Sequence, residues 1–80
     1  MARMTEQELK TAHDTIRRIY EEARRRMDPI LVDAPSEYDN MRSDVTQGVY
    51  SALIIIYERD WPAISDICTQ VETELHWWCS

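Results

Sequence analysis

Glycine is almost missing from this chain of 80 residues: Gly48 is the only one, beside three prolines and no phenylalanine. A phosphate-cradling loop needs several glycines, so P-loop and dinucleotide-binding fingerprints are excluded. An all-β chain turns every 8–12 residues or so, and too few turn formers are present for that. The two cysteines, Cys68 and Cys79, form no CxxC pair and are too few for a disulfide scaffold. No GxSxG or HExxH pattern occurs. The longest apolar-rich run, Val49–Tyr57, is interrupted by Ser51 and spans less than half of the roughly 20 residues a membrane helix needs. Met1–Thr15 has no apolar stretch of signal-peptide type, so a cytoplasmic location is expected.

What is present is apolar bulk and unevenly placed charge. Apolar residues make up 44% of the chain, enough for a compact core rather than disorder. The net charge is −6, which argues against a nucleic-acid-coating surface. Residues 1–27 nevertheless carry a net +2, and residues 28–80 carry −8. A molecule split in this way can attract a basic partner or copies of itself. A chain this short commonly needs a disulfide, a metal or a partner subunit for stability.

The apolar spacing predicts three helices, near residues 6–27, 37–59 and 61–78. Thr5 followed by Glu8 has the pattern of a capping box. Leu9, Ala12, Ile16, Ile19 and Ala23 then alternate at three and four residues, with Tyr20 and Met27 widening the stripe. Asp28-Pro29 should end this helix, because the residue before proline is pushed out of helical geometry. A connector over 28–35 follows, and Ser36 is placed to cap the second helix. In that helix Met41, Val45, Gly48, Ala52 and Ile55 form one apolar stripe. Tyr50, Leu53, Ile54 and Tyr57 form another, roughly opposite. A strand over Val49–Tyr57 is the rival reading, but the flanks keep helical spacing. Asp60-Trp61-Pro62 opens the third helix, with Trp61, Ile64, Cys68, Val71, Leu75 and Trp78 on its core face. The expected architecture is all-α: one small antiparallel bundle of three helices over 1–80, completed by oligomerisation.

Chemistry-bearing residues are sparse. His76 and Cys79 stand three apart on one helix, but Cys68 points elsewhere, so four zinc ligands do not assemble. Cys68 reads as a small core residue, and His13 as lining the bundle edge. No nucleophile has a base positioned beside it, so neither an enzyme nor a bound cofactor is expected. Three surfaces remain. Lys10, Arg17, Arg18, Arg24 and Arg25 share one face of the first helix and could grip phosphates. That face also holds the pairs Asp14–Arg18, Arg18–Glu22, Glu21–Arg25 and Glu22–Arg26, which suit a solvated, ion-paired helix. Asp28, Asp33, Glu37, Asp39 and Asp44 gather acid around the connector and suit an Arg/Lys-lined partner. Tyr50, Leu53, Ile54 and Tyr57, with Trp77 off the core face, suit an oligomer contact. Gly48 reads as a point where another helix comes close.

In size, acidity and want of catalytic motifs, the chain resembles the short accessory proteins of bacteriophages and other mobile elements, such as anti-CRISPR and other host-takeover inhibitors. The resemblance is one of profile and rests on no motif. It implies a non-enzymatic protein that occupies, and so inhibits or modulates, a macromolecular partner such as a basic nucleic-acid-handling complex. The alternative is a helical oligomer that holds a nucleotide or nucleic acid on the arginine stripe.

Overall fold

The computed structural model describes residues 3–57 and 60–78. It consists of three helices: α1 (Glu6–Asp33), α2 (Pro35–Ile56) and α3 (Trp61–Glu74). Among the described residues there is no strand, and Val49–Ile56 is helical. The whole measures 47 × 19 × 17 Å, with a radius of gyration of 13.6 Å. A compact chain of this length would have about 11.6 Å.

The start of α1 follows the sequence reading. Thr5 accepts from the Glu8 amide, and the Glu8 carboxylate accepts from the Thr5 amide, which closes the capping box. Its end does not. The helix runs through Pro29 to Asp33. Proline removes one donor, leaving the Arg25 carbonyl without its helical partner. Both residues face solvent there, so water can take over that bond.

The expected connector over 28–35 is thus mostly helix, and Ala34 alone separates α1 from α2. Pro35 occupies the first position of α2, where no donor is needed, and Ser36 lies inside the helix instead of capping it. Nor does Asp60 cap α3; its carboxylate accepts from the Met4 amide at 3.0 Å.

α3 stops four residues early. The His76 amide bonds to the Thr73 carbonyl and the Trp77 amide to the Glu72 carbonyl, while His76 takes a left-handed φ of 52°. This is a Schellman stop, usually built on glycine, here built on histidine. The reversal exchanges the roles of the two terminal tryptophans. Trp77, expected on the surface, is fully buried; Trp78, expected in the core, is 49% exposed.

The core joins Ala12, Ile16, Tyr20 and Met27 of α1 to Val49 and Leu53 of α2 and Ile64, Cys68 and Val71 of α3. Helix α2 presents a different face from the one expected. Its buried residues are Tyr38, Arg42, Val49 and Leu53, whereas Gly48, Ala52 and Ile55 are exposed. The core stripe therefore includes a charged residue, Arg42, which an apolar count passes over. The spacing Tyr38, Arg42, Val45, Val49, Leu53 is as regular as the one read from apolar residues alone.

Candidate functional site

A buried polar centre fastens the three helices at the end of α3. Glu72 lies in the core, and its carboxylate accepts from the Tyr20 hydroxyl at 2.8 Å, the Tyr50 hydroxyl at 2.9 Å and the Trp78 indole N–H at 2.8 Å. Each helix supplies a member. A buried carboxylate is tolerated when donors converge on it in this way. Burial, and then the neighbouring Glu72 carboxylate, push both tyrosine hydroxyls above their ordinary range, so they remain donors. The same two causes push the Cys68 thiol up to about 11. Cys68 is fully buried and is held as the thiol, an inert packing group.

Arg42 forms the other half of this centre. It donates to the Trp77 carbonyl at 2.8 Å and pairs with Asp39. Its guanidinium stands 5.3 Å from the Tyr38 ring centre and 5.7 Å from that of Trp78. Trp77 is gripped from several sides. Its indole N–H donates to Thr46 at 2.8 Å, and its ring meets Tyr20 edge-on at 4.7 Å. Arg24 lies 5.6 Å from the Trp77 ring centre and donates to the Leu75 carbonyl. Sequence reasoning missed Glu72 and Arg42. The available signal was position: Glu72 is four residues after Cys68 and Arg42 four after Tyr38, each beside a core stripe.

A second polar contact ties α1 to α3 at the surface. His13 Nε2 lies 3.0 Å from Glu74, and its Nδ1 lies 3.2 Å from Asp14. Arg17 donates to the same Glu74 oxygen at 3.0 Å, and Gln70 donates to the other. The hydrogen bond to Asp14 raises the His13 pKa; burial opposes it, and Glu74 adds to the rise, so the net direction is upward. His13, Gln70 and Arg17 hold the Glu74 carboxyl below its ordinary range. A carboxylate at each ring nitrogen calls for the doubly protonated imidazolium, because a neutral ring can donate from only one side.

These contacts decide the fate of the arginine stripe. Arg17 is engaged by Glu74 and Glu21, Arg24 by the end of α3, and Arg25 by Glu22. Only Lys10 and Arg18 stay exposed without an ion pair among the described residues. Of the four ion pairs expected along α1, Glu22–Arg26 is present.

The acidic residues are distributed differently. Asp28, Asp33, Glu37, Asp39 and Asp44 are all exposed, within the last two turns of α1 and the first three of α2. Among the described residues Asp39 alone of these is paired, with Arg42. Between them Val32 is 83% exposed and Leu31 39%.

The expected oligomer contact is broken up by the fold. Leu53 and Trp77 are covered by the chain itself, and Tyr50 and Tyr57 are half-buried against the core. They face inward because the core stripe of α2 is centred on Leu53 rather than on Ala52. Ile54 remains half-exposed. Gly48 does not admit a neighbouring helix within the chain: nothing among the described residues lies within 4 Å of where its Cβ would stand.

Among the described residues, no three His, Cys, Asp or Glu side chains are grouped to hold a metal ion, and Cys79 lies outside those residues. No described helix is long and apolar enough to cross a membrane. Comparison with protein-family models, with curated proteins and with solved structures finds no match.

Proposed function

We propose that this chain is a small, non-enzymatic cytoplasmic interaction protein that binds a basic macromolecular partner and inhibits or modulates it, in the manner of phage accessory and anti-defence proteins. The observation that carries the reading is the acidic end of the molecule. Asp28, Asp33, Glu37 and Asp44 are exposed and make no ion pair among the described residues, whereas most of the arginines on α1 are already engaged. Unpaired carboxylates around an exposed Val32 and Leu31 make an acidic rim about an apolar centre. Such a rim steers a basic surface into register, and the apolar centre supplies affinity once water is excluded. The reading takes the helices as an antiparallel bundle that associates into a small symmetric oligomer. The helix order is supported by Arg42 and Thr46 meeting Trp77, while Tyr50, further along α2, meets Glu72 and Trp61.

Affinity capture from a lysate of the source organism tests the reading. The native chain should retain a basic protein. The triple variant Asp28→Lys, Asp33→Lys, Glu37→Lys should lose it, with association slowed and its salt dependence blunted at nearly unchanged melting temperature. Retention by that variant, together with loss on Lys10→Ala and Arg18→Ala, would move the function to the arginine stripe.

A further inference from the structure

The segment that follows α3, Leu75–Trp78, carries two competing instructions. At about 100° per residue, a continued α3 would set Leu75 and Trp78 within about 40° of Val71, on the face that buries Ile64, Cys68 and Val71, and would turn Trp77 about 120° away from it. The structure takes the other course. His76 enters left-handed backbone at a φ of 52°, Trp77 is fully buried and Trp78 is half-exposed.

This stop has identifiable costs. A left-handed position suits glycine, and a residue with a Cβ is strained there. Trp78 and His76 border an unfilled hollow of about 260 Å³ together with Thr69, Glu72 and Thr73. The buried Arg42 leaves its Nε without a hydrogen-bond partner among the described residues. The gains are contacts with the turn itself. Arg24 donates to the Leu75 carbonyl and Arg42 to the Trp77 carbonyl, while the Trp77 indole donates to Thr46 and the Trp78 indole to Glu72. A continued helix would instead carry the amides of His76, Trp77 and Trp78 to the carbonyls of Glu72, Thr73 and Glu74, with no residue in left-handed backbone. One indole is buried in either arrangement. The balance is therefore between a strained turn with arginine contacts and an unstrained turn of helix, and each side is a sum of small terms.

We propose that Leu75–Trp78 is a two-state latch. The form with Trp77 buried exchanges with a less populated folded form in which α3 runs on through Trp78, Trp78 packs on the core and Trp77 moves to the surface. The exchange changes what the molecule presents. One indole replaces the other outside, and the guanidinium groups of Arg24 and Arg42 are released from the carbonyls that hold them. The latch goes beyond the function proposed above and depends on none of its surfaces.

Fluorine NMR of the chain labelled with 5-fluorotryptophan tests it. Trp77 and Trp78 should each show a second, weaker resonance in the native chain. His76→Gly removes the cost of the left-handed position and should shrink the second set about fivefold; His76→Ala favours the continued helix and should enlarge it by a similar factor. Iodide quenching should shift in step, with Trp77 shielded in His76→Gly and more accessible in His76→Ala. Arg24→Gln, which removes a contact of the stop without touching the turn, should also enlarge the second set, so the test survives if His76→Ala does not fold. Three results would overturn the latch. The first is a single set in folded His76→Ala or Arg24→Gln with Trp77 still shielded. The second is an equal response to glycine and alanine at position 76. The third is a second set that grows with urea in step with the unfolded chain.

Discussion

The seam between α1 and α3 and the outer flank of α2 are built in opposite ways. The seam is closed by polar groups: Glu72 held by Tyr20, Glu74 held by His13 and Arg17, and the end of α3 capped by Arg24. Among the described residues the flank of α2 has no such fastening, and its Ile55 and Ile56 are exposed. Polar clamps need defined partners, so a region rich in them is finished within the chain. An apolar face that makes none is available to whatever surface fits it.

The sharpest test sets a core position against one that the apolar spacing also placed in the core. Val71→Asp should abolish folding, because an unpaired buried carboxylate costs several kcal/mol. That is comparable to the stability of about 4–12 kcal/mol expected for a chain of this length. Ala52→Asp, on the exposed flank, should fold and melt within about 1 kcal/mol of the native chain at low concentration. Equal losses at both sites, read by thermal denaturation, would erase the distinction between seam and flank.

The next effect concerns the polar centre. Glu72→Ala leaves the hydroxyls of Tyr20 and Tyr50 without their acceptor, and an unsatisfied buried group costs about 1–3 kcal/mol. Glu72→Gln keeps an acceptor oxygen and should recover part of that loss. If both variants melted like the native protein, the centre would be a passive contact.

The smallest effect is a pH dependence of the surface clasp. His13 has a raised pKa in the folded chain, so its contribution is fully present below its ordinary value of 6.5 and is lost as the pH rises through the higher folded value. Glu74 has a lowered pKa, so its contribution is present above its ordinary value of 4.5 and is lost as the pH falls through the lower folded value. The clasp is therefore strongest between about pH 4.5 and 6.5. Melting temperature should decline from pH 6.5 to 8, and His13→Gln should flatten that decline while leaving the fold unchanged. A native profile already flat across this range would show that the clasp contributes nothing.

Local patterns were legible in the chain itself: the capping box at Thr5 and Glu8, three helices, and the burial of Ile16, Ile64 and Val71. Each rests on contacts a few residues apart, whose geometry the helix period fixes in advance. The acidic residues from Asp28 to Asp44 were also legible as a group, since they are close along the chain. The tertiary structure decided the rest. Pro29 can stay inside a helix because its unpaired neighbour faces water. The left-handed turn at His76 chose Trp77 rather than Trp78 for the core. The face that α2 turns inward depended on Arg42, a charge that is buried because the Trp77 carbonyl and the Trp78 ring, from a distant part of the chain, receive it together with Asp39 and the Tyr38 ring one turn away. Helical spacing says which residues share a face; which face is buried follows from what stands across from it.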